Sequence, residues 1–113
     1  MIDSRQKGKA FERAVAKEWG KALGLYPQRT GYAAKVWDDN KVDLTPEETA
    51  PFLIQCKAVE RAKYLHDVLE DMPSPTGMYP VVVHKQNRRR WKVVLYFDDF
   101  IELVQMLKAN GIL

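Results

Sequence analysis

The stretch FLIQCKAV, Phe52–Val59, decides how the rest of the chain reads. Its apolar residues predict a strand, and Phe52-Leu53-Ile54 suits the middle of a sheet better than its edge. Alternate residues of a strand share a face, so Ile54 and Cys56 point one way and Gln55 and Lys57 the other. Lysine is rarely buried without a partner, so an amide and an ammonium on one face of such a strand need a reason. The plain alternative is an edge strand with one wetted face.

Upstream lies LYPQRTGYAAKVWDDNKVDL, Leu25–Leu44. It mixes strand formers with turn signals at Thr30-Gly31 and Asp38-Asp39-Asn40. It predicts two short strands, the second closing on Val42-Asp43-Leu44. An acidic, proline-bearing connection from Thr45 to Pro51 follows. Before these, a helix is expected from about Ser4 to Leu23, capped by Ser4 and ended by Gly24. Phe11, Val15, Trp19, Ala22 and Leu23 give it an apolar stripe, with Arg13, Lys17 and Lys21 opposite.

Downstream, Val59–Met72 predicts a helix with Val59, Ala62, Leu65 and Leu69 on its apolar side, and MPSPTG predicts a loop. YPVVVHK and WKVVLYF flank QNRRR as a β-hairpin. Asp98 or Asp99 is then expected to cap a last helix bearing Phe100, Ile101, Leu103, Val104 and Leu107, which Gly111 stops. The order αβββαββα implies an α/β protein, a central mixed five-stranded sheet flanked by helices.

The chain of 113 residues suits one domain, residues 1–113. A hydrophobic fraction of 46% and a charged fraction of 29% are those of an ordinary soluble protein. A net charge of +3 and a pI near 9.0 are weak evidence for a nucleic-acid partner by themselves. Cys56 is the one cysteine, so neither an internal disulfide nor a cysteine zinc site is expected. Met1–Lys7 has no apolar segment of a secretory signal, and no run is long enough to cross a bilayer. A cytoplasmic protein is expected, in a prokaryotic cell or a phage-infected host, without a small-molecule cofactor.

Several polar residues sit where apolar ones belong. At about 100° per residue, Phe11 to Leu23 span about 120° of the helix, Glu12 falls at about 100° and Gly8 at about 60° within that stripe. A carboxylate there is costly unless a cation compensates it; a glycine there lets another backbone approach. Alone, Glu12 could pair with a lysine or reach the rim, and Asp43 could be a strand-ending turn residue. Together with Gln55 and Lys57 they converge. Two carboxylates and a carbonyl oxygen suit Mg²⁺, with Mn²⁺ as a substitute. Lys57 beside the ion could orient a water or stabilise charge on a phosphoryl group. That set fits phosphodiester hydrolysis.

These residues are similar to the PD-(D/E)XK nuclease superfamily, whose pattern is Glu, then Asp, then (Asp/Glu)-x-Lys on the next strand. More narrowly, KGKAFERAVAKEW, Lys7–Trp19, resembles the first helix of archaeal-type Holliday junction resolvases and their phage relatives. RTG at Arg29–Gly31 is similar to their Ser-Gly turn, VDL to their Asp-bearing strand, and FLIQCK to a strand that usually reads Ile-Glu-Cys-Lys. The resemblance implies a restriction-endonuclease-like fold and a metal-dependent endonuclease of resolvase type. It implies metal ligation by Glu12, Asp43 and Gln55, catalysis by these with Lys57, and a product with a 5′-phosphate. It also implies a homodimer acting on branched DNA, with flaps or nicked duplex as other substrates. Thr30 stands where the family often has a hydroxyl near the scissile phosphate.

Gln55 departs from that pattern. An amide oxygen can ligate Mg²⁺ but brings no charge, so ion affinity should fall. Some branches of the superfamily carry Gln here, and Glu60 could compensate. A non-catalytic DNA-binding module on the same fold is the alternative. Arg5, Lys7, Lys9 and Arg29 are placed to hold a phosphate backbone without reading sequence. Arg88, Arg89 and Arg90, near Lys85, Trp91 and Lys92, are either a solvated hairpin tip or phosphate contacts. His66 and His84 have no metal-ligand spacing and receive no role. Cys56 reads as a core thiol, and Trp19, Trp37, Phe97 and Phe100 as packing residues.

Overall fold

A computed structural model describes residues 4–61 and 64–113. Ala62 of the expected second helix and Met1–Asp3 of the N-terminal segment lie outside the described residues. The first helix, α1 (Ser4–Leu23), forms where its apolar spacing predicts. Gly24 ends it at φ +78°, a left-handed conformation in which its N–H reaches the carbonyl of Gly20 at 2.8 Å.

α1 packs on a sheet built around β1 (Phe52–Ala58) and β2 (Tyr79–Lys85), which run parallel with Gln55 beside Val82 and Lys57 beside His84. β3 (Lys92–Val94) pairs antiparallel with β2 and completes the hairpin. The predicted alternation holds in β1. Ile54 and Cys56 pack with Phe11, Val15 and Ala16 of α1 in one core. Leu53 belongs to a second core, on the other face, with Val42, Leu69, Met72 and Val82.

Among the described residues the sheet has three strands, in the order β1-β2-β3, and not five. Residues 25–44 form no regular strand. Arg29 and Leu44 make an isolated antiparallel bridge, and between them the chain winds into two short helices, α2 (Thr30–Ala33) and α3 (Lys35–Asp39). Local bonds close these turns, from the Ala34 N–H to Thr30 at 2.8 Å and from Asp38 to Ala34 at 3.1 Å. Tyr32 and Val36, counted as strand formers, are both largely exposed. β-propensity acts through packing on a sheet, and these side chains meet none.

Another short helix, α4 (Pro46–Thr49), lies within the acidic connection and accepts the Trp19 indole N–H at the Glu48 carbonyl, 3.1 Å away. Among the described residues, the helix expected over Val59–Met72 is α5 (Leu65–Glu70) alone. Val59 and Glu60 serve the hairpin instead. The Val59 carbonyl binds the His84 ring at 2.8 Å, and the Glu60 carboxylate accepts the Asn87 N–H at 3.0 Å. Glu60 therefore latches the hairpin tip and does not compensate Gln55.

The last helix, α6 (Phe97–Ala109), starts after Tyr96, so neither Asp98 nor Asp99 is its cap, and Gly111 follows it at φ +75°. Phe97 and Phe100 are exposed on it and not packed, unlike Trp19 and Trp37, which lie against the cores. No described helix is long and apolar enough to cross a membrane.

Candidate active site

The site begins with Asp43. Its N–H donates to the Ile54 carbonyl at 2.7 Å, as a strand neighbour of β1 would. The next ladder bond is not made by backbone: the Cys56 N–H donates to the Asp43 carboxylate Oδ2, at 2.8 Å. One side chain thus takes the place of the next backbone ladder bond along β1. Asp43 is fixed against β1 on both sides of its own Cα.

Thr30 secures the segment from behind. Its N–H donates to the Asp43 carbonyl at 2.9 Å and its hydroxyl to the Val42 carbonyl. With 1% of its surface exposed, Thr30 is a support of Asp43 and not part of the cavity wall.

An open cavity of about 680 Å³ lies between α1, the 29–43 segment and β1. Glu12 of α1, Asp43, and Gln55 and Lys57 of β1 all reach it. The residues predicted to converge from separate segments do meet. Arg5, Lys9 and Arg29 line the same cavity. Lys7 lies in an adjoining one of about 520 Å³, with Lys9, Arg13 and Lys85. Arg88, Arg89 and Arg90 stand apart on the exposed hairpin tip. Gly8 lines the cavity; a β-carbon there would meet nothing within 4 Å, so the space beside it is open and no backbone fills it.

Charge in the cavity is arranged unevenly. Glu12 is held by Arg29, Nε to Oε1 at 3.0 Å, both side chains about one-fifth exposed. Arg29 is thus the cation that compensates Glu12 within the apolar stripe. Burial pushes the Asp43 carboxyl up to about 7, the Cys56 N–H opposes this, the Glu12 charge adds to it and the Lys57 charge lowers it. Burial likewise pushes the Cys56 thiol up, which keeps it a neutral core group. Gln55 is 7% exposed, and its Oε1 is buried with no hydrogen-bond partner.

Residues 3–112 match the family described as "Phage putative PDDEXK endonuclease". The chain belongs to this family. Comparison with curated proteins and with solved structures gives no match.

PDDEXK nucleases generally use divalent metal ions, and the residues present fit one. A buried, unpaired amide oxygen costs about 1–3 kcal/mol and invites a cation. The raised Asp43 carboxyl is a group that a cation would restore to its charged form. Among the described residues, no three Asp, Glu, His or Cys side chains stand together as an ion site. The donor set is two acids and an amide, which suits an oxygen-seeking ion that keeps part of its water shell.

Reading the sequence alone missed Asp38. It lies on α3, lines the same cavity, and its charge raises Asp43 further. Its neighbour Asp39 turns outward to Lys35 at 3.1 Å. The available signal was a pair of acids shortly before Asp43, which resembled an ordinary turn.

Proposed function

We propose that this PDDEXK family member is a metal-dependent endonuclease that hydrolyses phosphodiesters in branched DNA, a Holliday junction resolvase in type. The observation that carries the reading is the meeting of Glu12, Asp43, Gln55 and Lys57 in one cavity, with Gln55 Oε1 buried and unpaired. Glu12, Asp43 and Gln55 would hold Mg²⁺, or Mn²⁺ in its place. Such an ion, when bound, makes a water nucleophilic at neutral pH and offsets charge on the phosphoryl oxygens.

The chain's own groups do the rest. Lys57 is half-buried, makes no salt bridge among the described residues, and lines the cavity. There it positions the attacking water and stabilises the charge that develops as the P–O3′ bond breaks, leaving a 5′-phosphate. Arg29 holds the Glu12 carboxylate in place. Arg5, Lys9 and Lys7, with Arg13 and Lys85 beyond, offer a cationic track from the cavity along α1 that holds the phosphate backbone. Arg88, Arg89 and Arg90 extend the contact to a second arm of the branch. A second copy, docked through α6, would supply the paired cut on the opposing strand. The reaction would take place in the cytoplasm of a phage-infected cell.

The test uses an end-labelled four-way junction, a flap, a nicked duplex and a linear duplex, with Mg²⁺, with Mn²⁺ and with EDTA. Metal-dependent cuts in the junction, lost in Asp43→Ala and Lys57→Ala while both variants still bind DNA, support the reading. Preferential cutting of the flap or nicked duplex moves the substrate. Because Gln55 replaces a carboxylate, a second reading is a non-catalytic DNA-binding module. Tight junction binding without cuts in any metal would establish it.

A further inference from the structure

We propose that Asp38 supplies, through the water shell of the bound ion, the negative charge that Gln55 does not bring to the site. This rests on the metal-dependent reading above and deepens it. Two independent observations meet here. Gln55, more than nine-tenths buried, lines the cavity and carries a buried side-chain oxygen without a hydrogen-bond partner. Asp38 lines the same cavity from α3, and its carboxylate makes no hydrogen bond or ion pair among the described residues.

The local backbone explains the placement. α2 and α3 are joined at Ala34, so the chain doubles back and α3 lies over the 29–31 turn. At Gly31 a β-carbon would sit 3.7 Å from Asp38 Oδ1 and 3.8 Å from Arg29 Nη2. Gly31 thus lies between the Asp38 carboxylate and the guanidinium that holds Glu12. With an unbranched turn there, Asp38 keeps a clear line to the cavity. Among the described residues Asp38, Glu12 and Asp43 form no tight trio that could hold an ion by itself. A carboxylate outside such a trio acts on ordered waters, and Mg²⁺ keeps several of these. Loss of such an outer partner typically lowers ion affinity by about 10–100-fold.

The experiment measures Mn²⁺ binding directly, by electron paramagnetic resonance of the free ion, with the full chain alone and with junction DNA. Variants are Asp38→Asn, Asp43→Asn, Gln55→Glu, the double Asp38→Asn/Gln55→Glu, and Asp39→Asn as a neighbouring charge control. Asp38→Asn is expected to weaken binding on the order of tenfold and Asp39→Asn to leave it unchanged. Gln55→Glu is expected to strengthen binding, and to restore it in the Asp38→Asn background by more than in the natural one. Saturable binding that Asp43→Asn abolishes and Asp38→Asn leaves untouched overturns the role of Asp38 while the metal reading stands. Equal losses in Asp38→Asn and Asp39→Asn reduce the effect to bulk charge and also overturn it. No saturable binding by the natural protein, with or without DNA, overturns both.

Discussion

Asp43 holds a carboxylate with 9% of the residue exposed, bonded to the Cys56 N–H and facing Glu12 across the cavity. Its pKa of about 7 in the fold, against 3.8 for an ordinary aspartate, makes the ionised form a burden in the absence of a cation. Folded-state protonation is favoured, so this stability is fully present below the unfolded value and is lost as pH rises through about 7. A shift of that size is worth roughly 4 kcal/mol. Asp43→Asn, which keeps the acceptor for Cys56 and removes the charge, is expected to raise Tm at pH 8 and to leave it nearly unchanged at pH 4. Thermal melts at both pH values without divalent ions check this, and equal shifts would refute it. Mn²⁺ should raise Tm at pH 8 in the natural protein and not in the variant. The same energetics explain what the sequence could show. Glu12, Asp43 and Lys57 interrupt apolar stripes, where a charge must be compensated, so their position alone called for a reason. Asp38 is exposed on the short helix α3, where a charge costs little, and no pattern marks it.

At the scale of elements, the regular pieces were legible and the irregular ones were not. α1, β1 and β2 declare themselves by spacing because each buries a continuous face. Residue type over 25–44 predicts strands, whereas the backbone closes local turns between two anchors at Arg29 and Leu44. Periodicity after Lys57 predicts helix, but the hairpin claims Val59 and Glu60 through contacts distant in sequence. Two turn positions show how far residue type and conformation agree. Gly24 at φ +78° is a glycine where one belongs; Arg88 at φ +60° is not. A side chain in that region costs about 1–2 kcal/mol. Gly24→Ala should therefore lower stability by about 1 kcal/mol, and Arg88→Gly should raise it by up to about 1 kcal/mol, both read from urea denaturation midpoints. If Arg88 also meets a phosphate, Arg88→Gly reduces the salt slope of junction binding by about one contact while cutting is retained. An unchanged slope would leave the arginine tip as a solvated turn.

Over the whole molecule, the packing is one-sided. α1 is anchored through Phe11, which is buried and meets the Trp91 ring edge-on at 5.0 Å between centroids, whereas α6 buries no residue fully. By helical advance, Phe97, Phe100, Ile101, Val104 and Leu107 fall within a sector of about 120°. All of these except Val104 are exposed. The opposite side of α6 is tied to the body, with the Tyr79 hydroxyl donating to Glu102 at 2.9 Å. A helix held by one edge that turns an apolar sector to solvent suits a partner helix, and a twofold-related copy would bring α6 against α6. Phe100→Glu with Leu107→Glu would place two pairs of like charges in that contact. Sedimentation analysis at micromolar concentration is expected to show a dimer for the natural chain and a monomer for the double variant. The cavity lies on residues of α1, β1 and the 29–43 segment, none of them on α6, so the variant should keep Mn²⁺ binding and its nicking of single strands. What it should lose is the paired cut of a junction in one encounter, seen as nicked circles accumulating from a supercoiled cruciform plasmid. Linear product formed by a monomeric variant as fast as by the natural chain would show that one copy suffices and that the α6 face serves another partner.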